Sequence, residues 1–382
     1  MHSPTPANAR ISIIGAGPGG LTCARILQKH GIAVTVYDRD PDAAARDQGG
    51  SLDLHEEDGQ LALREAGLLA EFFALARIEG QEMRDMDRSG RVVAHHLPDE
   101  GETARPEIDR GQLRDLLVRS LDAGTVRWGR ALESVGGPSD GPRTLTFTDG
   151  TTVETDLVIG ADGAFSRVRR AVSSATPRYS GVSFLEAWFD DMESAHPELC
   201  ELVGKGGAHA GDGERGLFAQ RNSGGHMRVY IMRRVPADWL AASGLGPDDT
   251  EGIRAQLLDA YAAWSPRMLR LITENDGPYV DRPILALPVP HTWEHSPTVA
   301  LLGDAAHLMP PLGVGVNLAM LDASELALAL ADASTVDDAV HLYEKSMLPR
   351  SADIARKLEG GAEFLLAAPG PDEAEPSRQG RY

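Results

Sequence analysis

Gly15, Gly17 and Gly20 form a G-x-G-x-x-G turn between the apolar run Ile11 to Ile14 and a stretch whose apolar residues Leu21, Ala24, Ile26 and Leu27 recur at helical spacing. Each glycine has a physical reason: the first allows a tight turn, the second lets an anion approach the backbone, and the third lets helix and strand pack closely. The free N–H groups at the helix start would then face a pyrophosphate. Asp38 closes the next apolar run, Ala33 to Tyr37, at a position suited to bind ribose hydroxyls. Strand, glycine turn, helix and strand in this order predict a parallel βαβ unit that binds a dinucleotide. The fingerprint alone does not separate FAD from NAD.

Two later segments decide between them. One runs from Asp156 to Arg169 and reads DLVIGADGAFSRVR; the other runs from Leu302 to Asn317 and reads LGDAAHLMPPLGVGVN. With these three ordered motifs the chain resembles the class A flavin-dependent aromatic hydroxylases, the family that includes para-hydroxybenzoate hydroxylase, over most of its length. The resemblance implies an α/β fold: a Rossmann-like FAD-binding domain of GR2 type, an interleaved, mainly antiparallel β substrate domain, and a long C-terminal helix. It also implies the reaction. NAD(P)H, with NADPH favoured, reduces FAD; O2 then forms a flavin C4a-hydroperoxide that hydroxylates a small aromatic or polyketide-like substrate. Because the cofactor carries the hard chemistry, no residue is assigned as catalytic. With one glycine fingerprint present, NAD(P)H is expected to bind transiently over the flavin.

Within that family the likeness is strongest to the tetracycline-inactivating (TetX-like) monooxygenases. Tyr37-Asp38-Arg39-Asp40, the segment Ala45 to His55, and Glu107-Ile108-Asp109-Arg110 through Leu113-Arg114 resemble that subgroup's cofactor-contacting segments. By resemblance Arg39 and Arg46 join the cofactor contacts, Arg46 on the nicotinamide and flavin side, while Asp53 and Arg110 hold FAD. Asp162 and Gly163 close a turn behind the cofactor, although an aspartate there could equally be a turn cap. Gly303 and Asp304 end a strand where the carboxylate could bind the ribityl chain. Pro311, Gly313, Gly315, Val316 and Asn317 belong to a loop whose amides start a helix beneath the flavin ring. The subgroup's substrate contacts fall on Glu186, Gly207 and Arg228, where this sequence departs from the glutamine, arginine and histidine found there; Phe218 and Pro311 complete the candidate substrate set. The flavin loop is one residue shorter and carries Val314 in place of a glutamine or glutamate. Tetracycline-like compounds are therefore one substrate class among several. Phe184, Trp188, Phe189, Phe218 and Met227 either line a flat apolar pocket or form ordinary sheet core.

These motifs require elements to hold them. The expected organisation is an FAD-binding domain in three parts, 1–75, 105–178 and 291–335, with a substrate domain in two parts, 76–104 and 179–290. Helical spacing spans Glu56 to Ala76, a hairpin turns at Asp149-Gly150, and a bridging helix spans 336–368 before a disordered tail, 369–382.

The bulk composition narrows the alternatives. A net charge of −20 disfavours nucleic acid and anionic membranes. Cys23 and Cys200 are too few for a disulfide framework, which fits a cytoplasmic protein, and no run is long enough to span a membrane. No metal site is expected: His95 and His96 point to opposite faces of a strand. Cys23 reads as core and His307 as structural. A monomer acting on a small molecule and O2 is the expectation. Two alternatives stay open: a flavin reductase or dehydrogenase without oxygen insertion, and a catalytically idle flavoprotein that binds a hydrophobic metabolite.

Overall fold

The computed structural model describes residues 3–45 and 49–368. Every residue of the strand Ile11–Ile14 is buried because it is the centre of a five-stranded parallel sheet. Its order is Val299–Leu301, Leu157–Gly160, Ile11–Ile14, Val34–Tyr37 and Val126–Arg127, so the three cofactor motifs leave from the ends of adjacent strands. Strands covered on both faces read as continuous apolar runs. The helices Pro18–Lys29 and Gly315–Asp332 pack against each other over this sheet. Small residues allow it: a Cβ on Gly19 would lie 2.9 Å from the Ala319 carbonyl oxygen.

A second sheet has seven strands in the order Val280–Ala286, Arg178–Phe189, Met227–Arg234, Arg215–Arg221, Gly207–Gly211, Met83–Met86 and Val92–His96. It is antiparallel except between Met83–Met86 and Gly207–Gly211. Strand alternation gives it two unlike faces. Leu185, Ala187, Phe189, Leu217, Ala219, Met227, Val229 and Ile231 form one, buried with the helices Pro197–Val203, Thr250–Ala260 and Pro266–Thr273. Phe184, Glu186, Phe218, Gln220, Arg228 and Tyr230 form the other. Phe189 and Met227 are thus helix-covered core and not pocket lining. A short antiparallel ribbon, Ser51–Asp53 with Glu107–Asp109, lies between the two sheets in sequence and in space.

Two helical expectations change. The stretch from Glu56 to Ala76 is two helices, Gly59–Ala66 and Leu69–Leu75, because Gly67 takes φ 73° and stops the first. The bridging helix ends at Lys357, not 368: Gly360, at φ 80°, turns the chain into the short helix Gly361–Phe364. Division of labour follows from that break. Val336, Val340, Tyr343 and Met347 of the long helix join the core of the parallel sheet, whereas Ala362 and Leu366 pack on Phe184 and Met232 of the seven-stranded sheet. Among the described residues no helix is long and apolar enough to cross a membrane. The predicted disordered tail, 369–382, lies outside the described residues.

Candidate cofactor and substrate site

The glycine turn is shaped from behind and open in front. Gly15 holds φ 109°, and a Cβ there would lie 2.3 Å from the Ala161 carbonyl oxygen; a Cβ on Gly20 would lie 2.1 Å from the Gly15 carbonyl oxygen. Gly17 differs: a Cβ would meet nothing within 4 Å. Its φ of −83° and ψ of 176° suit any residue, so the fold does not require glycine there. An open position at the N-terminus of a twelve-residue helix is the space a pyrophosphate needs. The residues present fit an FAD.

Asp38 stands beside that turn. Its carboxylate accepts from the Ala16 N–H at 2.6 Å and the Asp40 N–H at 2.8 Å, which fixes the turn against the end of Val34–Tyr37. Arg39 is exposed. Arg114, which the resemblance placed in a cofactor-contacting segment without a role of its own, braces the loop: buried, it donates to the Ala16 carbonyl (3.1 Å), the Ala43 carbonyl (2.9 Å) and the Asp40 carboxylate (3.1 Å), and its guanidinium lies 5.0 Å from the Trp128 ring. A buried arginine is rare enough to suggest such a role, but nothing local names its partners. Arg46 lies outside the described residues.

The second motif is used mostly by the protein itself. Asp162 accepts from the Ser166 hydroxyl (2.6 Å) and the Arg167 and Val168 N–H groups (2.6 and 3.2 Å), so its side chain is a turn cap. Burial pushes its carboxyl up. Gly163, at φ 74°, leaves open space beside it. Arg169 reaches across to the third motif, donating to the Asp304 and Ala305 carbonyls at 3.3 and 3.0 Å.

In the third motif Gly303 takes φ 58° with Ala319 close against it, and Asp304 projects an exposed carboxylate from the first position of the short helix Asp304–His307. His307 is structural, as expected. It bonds the fully buried Asp322 at 2.6 Å, and Asp322 also accepts from the Gly303 N–H (3.0 Å) and Arg350 (2.8 Å). Burial alone would lower the His307 pKa, but Asp322 outweighs it and holds the ring's pKa above its ordinary value.

The flavin loop divides by orientation. Pro311 and Gly313 are exposed, and Gly315 and Val316 are half-buried at the start of Gly315–Asp332. The Asn317 side chain turns inward instead. It accepts from the His55 N–H (2.9 Å) and donates to the Asp53 and Gly313 carbonyls (2.9 and 3.2 Å), which leaves only its backbone for a ligand. Val314, the departure from the TetX-like pattern, is buried with Met309, Leu318, Ile354 and Leu358. It faces the terminal helix, which explains why an apolar residue suits the position. Asp53 points toward this loop, 3.8 Å from where a Cβ of Gly313 would stand, and bonds His55 at 3.0 Å. Burial opposes the charge on His55, yet Asp53 and Asp58 raise its pKa to about 9.

On the substrate side, Glu186, Gly207, Phe218 and Arg228 share the open face of the seven-stranded sheet. Glu186 is sandwiched, pairing with Arg228 and accepting from Arg282 at 3.0 Å, while Arg228 also stacks 4.2 Å over Trp188. The two candidates therefore bind one another. Gln220 and Tyr230, absent from the sequence-derived set, lie on the same face, and both close on Gly50: a Cβ there would sit 2.6 Å from the Tyr230 hydroxyl and 3.5 Å from the Gln220 side-chain oxygen Oε1. Arg110 donates its N–H to the Gly50 carbonyl at 3.0 Å, with its side chain exposed. Phe218 stacks on Tyr230 at 6.1 Å.

A family model described as an FAD binding domain matches residues 8–232 and 291–357, both edges of the glycine turn and all three motifs included. The chain belongs to the FAD binding domain family. Membership makes it one of the FAD-dependent monooxygenases, the reading its motifs implied. Its relatives include the monooxygenase asqM of Emericella nidulans, 33% identical over 92% of this chain and 89% of that protein. They also include the 3-amino-4-hydroxybenzoate 2-monooxygenase of Streptomyces cremeus, 31% identical over 95% and 89%. Solved structures with the fold include Klebsiella pneumoniae HpxO complexed with FAD and uric acid, with TM-score 0.78 and 23% identity over 94% of this chain and 90% of that one. The tetracycline destructase Tet(55) matches with TM-score 0.71 and 21% identity over 98% and 95%.

Proposed function

We propose that this FAD-dependent monooxygenase takes its electrons from NAD(P)H, NADPH in preference, and hydroxylates a flat, electron-rich aromatic or polyketide-like small molecule. The supporting observation is the pairing of the open Gly17 turn with a sheet face on which Phe218 stacks on Tyr230, whose hydroxyl reaches Gly50 of the flavin-side segment. Overall, NADPH, a proton, O2 and the substrate C–H give NADP+, water and the hydroxylated product. When bound, FAD accepts the hydride and activates oxygen. The chain's own residues bind and orient. The Gly17 and Gly19 amides would hold the pyrophosphate, since the Ala16 N–H is taken by Asp38 and Pro18 has none; Asp38 and Asp304 would take hydroxyls, and the N–H groups at the start of Gly315–Asp332 would supply positive potential that stabilises added electron density on the flavin. Pro311 and Phe218 bound the substrate. Glu186 engages both Arg228 and Arg282, a pairing that leaves Arg228 less available to a substrate carboxylate and so favours an uncharged ring. We assign the protein to the cytoplasm as a monomer.

Isotope labelling tests the reading. Turnover under 18O2 with NADPH and a panel of phenols and polyketides should give product carrying one labelled atom. Product without label, or NADPH oxidation that only reduces the ligand, would establish a reductase instead.

A further inference from the structure

Glu107 is a carboxylate that the reaction does not use and whose place is unusual. It stands on the ribbon directly opposite Asp53, with its oxygens bonded to groups on two different sheets. The Ser51 hydroxyl, on its own ribbon, donates to it; the Gln220 amide, on the open face of the seven-stranded sheet, lies 3.3 Å from both its oxygens. Arg77 completes the junction, donating to Ser51 at 2.9 Å and to Asp109 at 3.3 Å, and Asp109 in turn accepts from the Ser223 N–H at 3.1 Å. Two acids of one short strand, Glu107 and Asp109, thus grip the same hairpin of the substrate-facing sheet. Gly50 has no side chain, which lets the ribbon close against Tyr230 and Gln220.

We propose that Glu107 is a positioning residue: by gripping Ser51 on one side and Gln220 on the other it sets the gap between the flavin-side ribbon and the substrate-facing sheet, and so how substrate lies against the flavin. This rests on the monooxygenase reading above for its consequence, though not for its geometry.

The charges around the group give the junction a pH dependence. Asp53 faces Glu107 across the ribbon with His55 behind it, Arg77 and Asp109 flank it, and Arg110, Arg228 and Arg282 surround the neighbouring Tyr230. Burial, with the Asp53 charge added, pushes the Glu107 carboxyl up to about 8. The folded junction therefore favours the neutral acid. Its contribution is complete below the ordinary carboxylate range and is lost as pH rises through about 8, where a second negative charge appears opposite Asp53.

The test measures solvent access to bound flavin by acrylamide quenching of its fluorescence, from pH 6 to 9.5, in wild-type holoenzyme and in Glu107→Gln and Glu107→Ala. Glutamine mimics the neutral acid and cannot ionise. In the wild type, quenching should rise above pH 8; Glu107→Gln should hold the low-pH value throughout, and Glu107→Ala should show the raised value at every pH. Peroxide released per NADPH oxidised should follow the same pattern. Identical quenching profiles in wild type and Glu107→Gln would overturn the proposal even if Glu107→Ala fails to fold. A wild type that shows the pH transition but never yields oxygenated product would instead leave the positioning role standing and refute the monooxygenase reading.

Discussion

Gly17→Ala separates cofactor binding from folding with a single methyl group. In the protein a Cβ at this position meets nothing within 4 Å, and the backbone, at φ −83° and ψ 176°, is one alanine adopts freely. Replacing glycine under those conditions restricts the unfolded chain and stabilises the fold by about 0.4–1 kcal/mol. Bound FAD changes the sign. The methyl would stand between the turn's N–H groups and the pyrophosphate, and hydrogen bonds to a charged acceptor contribute about 1.5–3 kcal/mol each and weaken steeply with distance. Losing one of them gives about 1.5–3 kcal/mol, roughly a 10- to 150-fold rise in Kd. Gly15→Ala is the contrasting control: φ 109° and a carbonyl oxygen at 2.3 Å mean that the fold itself is strained. That strain costs about 3 kcal/mol or more. The assay is fluorescence titration of deflavinated protein with FAD beside thermal unfolding of the same apo samples. The Gly17 variant should unfold at or slightly above the wild-type Tm and bind FAD poorly; the Gly15 variant should unfold earlier. A Gly17→Ala protein that binds FAD with wild-type affinity would show that the pyrophosphate does not lie over this turn.

Asp322→Asn should destabilise the protein by about 3–5 kcal/mol, because it leaves the buried His307 without its counter-charge while Arg350 keeps only Glu325; denaturant unfolding measures it. Burial opposes the Asp322 charge, but His307, Arg350 and the Gly303 N–H outweigh it and hold its carboxyl below the usual range. Its stabilisation is therefore present above the ordinary carboxylate pKa and is lost as pH falls through the depressed one, so wild type and Asp322→Asn should converge in stability in strong acid. Arg114→Ala removes three hydrogen bonds at the glycine turn and should cost about 2–4 kcal/mol, with FAD protecting the wild type from thermal unfolding more than the variant. Glu186→Gln frees Arg228 and Arg282 from their carboxylate, so affinity should shift toward carboxylate-bearing aromatics by about tenfold, read from ligand-induced changes in flavin absorbance; an unchanged preference would remove charge pairing as the basis of selectivity.

Local sequence determined the cofactor side of this protein. Gly15 and Gly20 are dictated by contacts with neighbours a few residues away or on the adjoining strand, and Asp38, Gly303 and Asp304 follow directly from strand ends, so motif spacing carried them to their places. Continuous apolar runs identified the parallel strands for the same reason: a strand buried on both faces has one readable pattern. The tertiary structure decided what each polar side chain does. Asp162 caps its own turn through partners four to six residues away, a role local sequence already allowed, whereas the Asn317 side chain joins its loop to a ribbon 264 residues distant. Glu107 and Gln220 gain their roles only when separate sheets meet, and Arg114 gains its own only when the helix Arg110–Arg119 packs beside the glycine turn. The substrate face illustrates the limit most clearly. Alternation places Glu186 and Arg228 on the open side, and register pairing then brings their strands together, so two residues that resemblance assigned to a ligand pair with each other in the protein. A sequence specifies the period of each strand; which charges become neighbours is set by how the strands pair.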